Sequence, residues 1–231
     1  MNTCEQKTGA GLFDEWPDRY DDWFATPIGK LVKKYETELL HEMLEPQPGE
    51  FVLDVGCGSG VFTMDVLSCG ADIVGLDISH PMLTRAADKT SGRQFAGVVG
   101  DMVSLPFPDD MFDKVFSMTA IEFAADAKQA VAELHRVVRK GGSVVLASLN
   151  SQSPWAERRL KEGEDGHTLF QNIMFRSPDE LASLVPGKAT VKTAIHFLKN
   201  EDPVRVHEIE RKGNESGKDT GAFVALSWSK N

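Results

Sequence analysis

The stretch Val52-Leu53-Asp54-Val55-Gly56-Cys57-Gly58-Ser59-Gly60 joins an apolar run to a turn with glycine at every second position. Glycines at 56, 58 and 60 carry no Cβ, so a ribose or carboxylate can approach the main chain there, and the backbone can take φ > 0 where the turn needs it. A helix N-terminus just beyond would favour a negative group, so the chemistry suggested is the binding of a nucleotide-like ligand. Acidic residues recur downstream at matching places. Asp77 closes the apolar run Ile73-Val74-Gly75-Leu76, where a carboxylate can accept two hydrogen bonds from ribose hydroxyls. Asp101 follows another short apolar run, and Glu122 lies in Thr119-Ala120-Ile121-Glu122-Phe123, after a third.

The elements that must hold these residues read as strands alternating with helices. Residues 51–55 are apolar enough for a buried strand of a parallel sheet, and Ser59 is a candidate N-cap for a helix through Val61, Met64 and Leu67. Residues 73–78, 95–99, 114–118 and 143–149 read as further strands. A helix from 126 to 139 is expected to stop at Lys140-Gly141-Gly142. Such alternation implies an α/β sheet.

A dinucleotide-binding fingerprint needs a third glycine five residues after the first, and that position is Val61. The spacing Asp-x-Gly-x-Gly-x-Gly instead resembles motif I of the class I S-adenosylmethionine-dependent methyltransferases. Asp77 alone does not discriminate, because a nicotinamide enzyme places an acid there too. The succession Gly100-Asp101-Met102, Leu105-Pro106-Phe107 and Phe112-Asp113 does. The resemblance covers residues 20–150 and is closest to the type 11 small-molecule group, whose members include quinone-ring methylases; beyond residue 150 it is architectural. It implies a Rossmann-like, mostly parallel seven-stranded sheet with an antiparallel terminal strand and helices on both faces. It also implies S-adenosylmethionine as cofactor, leaving as S-adenosylhomocysteine. By the same resemblance, Asp54, Gly56, Cys57, Gly58 and Gly60 of the turn, Asp77 with Ile78, Asp101 with Met102, and Thr119 would contact that cofactor. Asp101 would accept from the adenine amino group, the Met102 N–H would approach the ring, and Tyr20 would pack over the cofactor mouth. The segment holding Glu122 would face the transferred methyl, making Glu122 a base, an orienting group for the acceptor, or merely a helix cap.

The composition narrows the choice. With 231 residues and 41% hydrophobic content the chain can bury one substantial core. A formal charge of −10 speaks against a nucleic-acid partner, and the basic run His135-Arg136-Val137-Val138-Arg139-Lys140 reads as a solvated helix end. Three cysteines without Cys-x-x-Cys pairing suggest neither a disulfide framework nor a zinc site, and the six histidines lack metal-ligand spacing. No run reaches the ~18 apolar residues of a membrane span, and the start lacks a secretory pattern. A cytoplasmic monomer or homodimer without integral membrane association, acting on a small-molecule acceptor, is expected. The alternative is a non-catalytic regulator that binds the cofactor.

Outside residues 51–149, residues 1–48 form an aromatic segment (Phe13, Trp16, Tyr20, Trp23, Phe24) and a cap helix with Leu31, Tyr35, Leu39, Leu40, Met43 and Leu44 at helical spacing. These rings suit either a lid on the site or a plug at the sheet edge. Residues 49–231 form the expected methyltransferase domain. Within it, 151–176 reads as a substrate-cap insertion carrying Arg158, Arg159 and the candidate His167. Ser177-Pro178-Asp179-Glu180 opens a helix with a capping box. Residues 189–198 and 221–228 read as the last two strands, with a polar connection whose part 212–221 is expected to be a mobile loop.

Overall fold

A computed structural model describes residues 11–231. Two helices come first, α1 (Pro17–Ala25) and α2 (Pro27–Leu44), separated by Thr26, whose hydroxyl oxygen caps α2 by accepting from the Gly29 N–H. Then strands and helices alternate: β1 (Phe51–Val55), α3 (Val61–Leu67), β2 (Asp72–Asp77), α4 (His80–Lys89), β3 (Phe95–Val99), β4 (Phe112–Met118), α5 (Ala127–Val137) and β5 (Val138–Leu149). The remainder is α6 (Pro154–Glu164), α7 (Pro178–Leu184), β6 (Thr190–Ala194), α8 (Pro203–Glu215) and β7 (Phe223–Ser229).

The strands form one seven-stranded sheet in the order β3-β2-β1-β4-β5-β7-β6. Strands β1 to β5 pair in parallel, and β7 runs antiparallel to both β5 and β6. The antiparallel strand therefore lies one place in from the edge. Successive side chains alternate between the two faces. Val115 and Val144 enter the layer with α5 and α7, built around Leu134 and Leu181, while Phe116 and Val145 enter the layer with Leu40, Phe62 and Trp155. Phe116 is wholly buried, and Phe116→Ala would cost about 3–5 kcal/mol. Strand order reverses between β1 and β4, and the crevice outside the carboxyl ends of the strands there is where open α/β sheets bind ligands.

Several local expectations change. The N-cap of α3 is Gly60 at φ 79, not Ser59, whose hydroxyl is drawn instead to Asp21. Helix α5 ends at Val137, and β5 begins at once, so Gly141 and Gly142 stand inside the strand near a register shift opposite Phe112 and Lys114 rather than as a helix stop. The ends of the last strands also move, giving β6 only residues 190–194. Most of the expected polar connection is α8, capped by Asp202 through the Val204 N–H. It is anchored by buried Glu210, which accepts from the Ile195 and His196 N–H groups at 2.9 and 2.7 Å and so holds the left-handed kink at Ile195 (φ 66). The basic run at 135–140 is built into the structure: Arg136 donates to Glu133, Asp109 and the carbonyls of Leu105 and Phe107.

Candidate active site

The apolar β1 delivers the chain into the turn at the switch point. The Gly56 and Cys57 N–H groups donate to the Leu76 carbonyl at 2.7 and 3.0 Å, fastening the turn to the end of β2. Gly56 has φ +74, and a Cβ on it would lie 2.3 Å from the Ala120 Cβ, so only glycine fits. Gly58 has φ +53, but a Cβ there would meet nothing of the protein within 4 Å. Its N–H donates to Asp77 Oδ2 at 2.8 Å, and the Ser79 N–H donates to Oδ1 at 2.9 Å. Burial raises the Asp77 carboxyl, and these two N–H groups, Ser79 and Gly58, pull it back toward the ionised form. A carboxylate has about four acceptor positions, so two remain on Asp77 for a ligand.

Gly56, Gly58, Asp77, Ile78, Asp101, Met102, Thr119 and Tyr20 all line one cavity of about 390 Å³, with Phe13, Met82, Phe123 and other apolar residues completing it. Asp101 Oδ1 accepts from the Val103 N–H at 3.0 Å, leaving Oδ2 without a partner among the described residues. The other expected contact residues support this wall without lining it. Asp54 is buried and accepts from the Thr63 hydroxyl at 2.6 Å; burial raises its carboxyl to about 7 despite that bond. Gly60 packs on Ala86, which a Cβ would meet at 3.1 Å. The Cys57 thiol is pushed well up by burial, with Asp54 and Asp77 adding to it, so it stays protonated and is no nucleophile.

The N-terminal aromatics divide: Phe13 and Tyr20 line the cavity, whereas Trp23 and Phe24 pack on Trp155 and Phe62 of the core layer, and Trp16 lies against His167. Phe13 meets Phe123 edge-on at 4.8 Å between centroids, and Tyr20 comes from α1. Acidic residues of this segment latch it to the glycine turn and α4: Asp21 bonds the Ser59 hydroxyl at 2.6 Å, Lys89 at 2.5 Å and Arg85 at 3.1 Å. Asp18 pairs with Arg85, and Asp14 accepts from the Ser79 hydroxyl at 2.8 Å. Tyr20 is buried far enough to raise its phenol well above the usual range, reinforced by the charges of Glu36, Asp54 and Glu122 and opposed by a bond with the Thr119 side chain.

Glu122 is 1% exposed and does not line the cavity. Its Oε1 accepts from the Leu149 N–H, and its Oε2 has no partner. Two further charged residues act on it electrostatically: Glu36 of α2, which sequence reasoning missed, and Arg159 of α6, which lies in the expected cap insertion. Glu36 carried a signal: it falls on the buried stripe of α2 between Val32 and Leu40. The His167 ring stacks on Phe170 at 4.3 Å, and its buried Nδ1 lacks a partner. Among the described residues no cluster of metal-ligating side chains occurs, and no helix is long and apolar enough to cross a membrane.

Residues 53–146 match the family model described as a methyltransferase domain. The chain is 33% identical to malonyl-[acyl-carrier protein] O-methyltransferase of Pseudescherichia vulneris, over 91% of this chain and 90% of that protein. It is 34% identical to the demethylmenaquinone methyltransferase of Beutenbergia cavernae, over 64% and 60%. Among solved structures, an S-adenosylmethionine-dependent methyltransferase of Thermotoga maritima, described as a possible histamine N-methyltransferase, has a TM-score of 0.77 at 21% identity, covering 96% and 99%. The Synechocystis magnesium protoporphyrin IX methyltransferase with bound S-adenosylhomocysteine has a TM-score of 0.66 at 13% identity, covering 96% and 98%.

Proposed function

From the chain's membership of the S-adenosylmethionine-dependent methyltransferases, we propose that it transfers a methyl group to a small-molecule acceptor held beside Tyr20 and Glu122. The relatives just named support an acceptor of that size, as a carboxylic acyl group or a quinone ring. The observation that carries the reading is a single cavity in which the glycine turn, Asp77 and Asp101 meet the N-terminal aromatics. The cofactor supplies a sulfonium-bound methyl, a carbon electrophile open to in-line displacement.

The residues present fit that cofactor. Gly58 leaves open space where a Cβ would stand, the two remaining acceptor positions of Asp77 suit vicinal ribose hydroxyls, and Asp101 Oδ2 suits an exocyclic amino group. Ile78 and Met102 offer apolar flanks to a ring. Thr119, at φ 54, turns the chain after β4 and lines the cavity together with Tyr20, so the aromatic wall meets the segment after β4 that carries Glu122. Alignment and exclusion of water then supply much of the rate, and Glu122 takes or orients a proton of the acceptor. Residues 1–48 act as the covering segment, 49–231 as the catalytic domain, and 151–176 as the acceptor cap, a division supported by Tyr20 on the cavity wall and by the Met174 N–H, which donates to the Glu122 carbonyl at 3.0 Å.

Calorimetric titration with S-adenosylhomocysteine, followed by a methyl-donor assay over candidate acceptors, tests the proposal. Glu122→Gln should keep cofactor affinity and lower turnover by roughly 10² to 10⁴. A folded protein that does not bind S-adenosylhomocysteine refutes the cofactor site, and tight binding without turnover of any acceptor makes the protein a regulator.

A further inference from the structure

The sheet has two edge strands, and they are built differently. At one edge β6 carries Lys192 at its middle, paired with Glu42, and a lysine in that place keeps a further strand from joining. At the other edge β3 reads Phe95-Ala96-Gly97-Val98-Val99, with neither a charge nor a proline. Ala96, Gly97 and Val99 are exposed, Val99 by 55%. The bonds at the two ends of the β2–β3 pairing run from the Ile73 N–H to the Gln94 carbonyl at 2.9 Å and from the Gly100 N–H to the Asp77 carbonyl at 3.0 Å. Peptide groups alternate along a strand, so residues 94, 96, 98 and 100 turn theirs to β2, while Phe95, Gly97 and Val99 turn theirs outward. The Phe95 N–H is taken by the Arg93 carbonyl at 2.9 Å. Among the described residues the outward N–H and C=O groups of Gly97 and Val99 have no partner.

Such a row is a template for another strand, and the ends of β3 say which one. Arg93 precedes the strand and Asp101 follows it. Both are exposed, and neither makes an ion pair among the described residues. A second copy laid antiparallel about a two-fold axis at Gly97, the middle of the strand, sets Gly97 against Gly97, Val99 against Phe95 and Asp101 against Arg93. Each Gly97 N–H then donates to the carbonyl of the other Gly97, and each Val99 N–H to the Phe95 carbonyl across the axis. Both unpaired charges are answered, and by symmetry twice over. An axis at Val98 would set Asp101 against Phe95, and one at Ala96 would set Arg93 against Val99, so the charges select the Gly97 register.

We propose that the protein is a homodimer in which β3 of one copy pairs antiparallel with β3 of the other, joining two seven-stranded sheets into one. The self-complementary ends of the strand fit a second copy of this chain. Because Asp101 also lines the cavity, the pairing brings Arg93 of each copy beside a wall residue of the other copy's cavity. The inference stands on the sheet edge and does not depend on the reaction.

Sedimentation equilibrium and amide exchange test it. The chain should weigh as a dimer at about 100 µM, the range for a modest interface. In that dimer the Gly97 and Val99 amides should exchange about tenfold or more slowly than in an unstructured peptide, because nothing in a single copy protects them. Val99→Lys changes an exposed side chain outside the cavity and gives β3 the lysine that β6 already has; it should raise the dimer dissociation constant about tenfold or more. Arg93→Glu sets acid against acid at both ends of the pairing and should weaken the dimer by a similar factor, the loss shrinking at high salt. A chain that stays monomeric at about 100 µM overturns the proposal, as does a dimer that Val99→Lys leaves intact or whose Gly97 and Val99 amides exchange at the unstructured rate. A dimer broken by Val99→Lys but indifferent to Arg93→Glu overturns the Gly97 register. If Val99→Lys does not fold, amide exchange in the wild-type dimer decides alone.

Discussion

Two glycines of the turn, two residues apart, should fail in opposite ways when given a methyl group. Both are left-handed, which costs an L-residue about 1–2 kcal/mol. At Gly58, φ +53, the added carbon meets no protein atom within 4 Å. Gly58→Ala should therefore lower Tm by only about 2–8 °C, at about 2–4 °C per kcal/mol for a chain of this length. The carbon occupies the space assigned to the cofactor, so S-adenosylhomocysteine affinity should fall by about tenfold or more, ~1.4 kcal/mol at the least. At Gly56, φ +74, the carbon would sit 2.3 Å from the Ala120 Cβ. Overpacking adds about 1–3 kcal/mol to the left-handed strain, for a total of about 2–5 kcal/mol, or about 4–20 °C. That is a large share of a stability of about 5–15 kcal/mol. Ala120→Gly should recover part of the Gly56→Ala loss, because it removes the atom that is struck. Differential scanning fluorimetry and calorimetric titration, run on the same samples, separate the two effects. Wild-type S-adenosylhomocysteine affinity in Gly58→Ala would show that the turn faces no cofactor, and a wild-type Tm in Gly56→Ala would refute the close approach to Ala120.

Three further outcomes are expected. Asp77→Asn keeps one carbonyl oxygen for Gly58 or Ser79 but loses the anion offered to the ribose; S-adenosylhomocysteine should bind about ten- to a hundredfold more weakly, and an unchanged affinity in the folded variant would exclude the ribose role. The Glu36 carboxyl stands near 8 against an ordinary 4.5, chiefly through burial, so the native state favours its protonated form. Its contribution to stability is complete below pH ~4.5 and is lost as pH rises to about 8; Glu36→Gln, with no proton to lose, should gain Tm relative to wild type between pH ~5 and ~9, and a Tm difference constant over that range would refute the shift. Asp21→Asn weakens the latch to Lys89, Arg85 and Ser59. Its ion pairs are partly exposed and worth only ~0–1 kcal/mol each, so the effect should be local: faster amide exchange in α1 and faster release of S-adenosylhomocysteine, the difference from wild type narrowing at high salt. Unchanged α1 exchange would mean that the covering helix is held by its aromatic contacts alone.

Most of β1 to β5 was legible in the sequence because each strand is an apolar run with a sharp end: Gly56 after β1, Asp77 closing β2, Gly100 after β3. Helix α8 was not, because its buried stripe is thin. Val206, Glu210 and Gly213 face inward, and an acid that answers two N–H groups of a kink looks from sequence like a solvated one. The end of α5 was misplaced because Gly141-Gly142 resembles a helix stop. Tertiary pairing overrides it: Val138 is already opposite Phe112, and a Cβ on Gly142 would lie 2.4 Å from the Asp113 carbonyl oxygen, so the glycine serves close strand contact. Ser59 was read as a cap from its type, and the acid that claims its hydroxyl is 38 residues away.

The same contrast divides the two halves of the site. A cofactor held by a turn, a strand end and main-chain N–H groups needs residues that are close in sequence and constrained by backbone geometry, so spacing carries the signal. The group Glu36, Glu122 and Arg159 draws on α2, the turn after β4 and α6, which share no spacing and come under one another's charge only when the chain is folded. What betrays such a group in sequence is a violation of pattern, a charge such as Glu36 on the apolar stripe of a helix between Val32 and Leu40. Burying that charge costs stability unless something compensates it. If Arg159 were the sole compensation it would be expected in contact, and it is not. Protonation is the compensation: burial raises the Glu36 carboxyl to about 8, so near neutral pH the group is held neutral rather than as a buried charge.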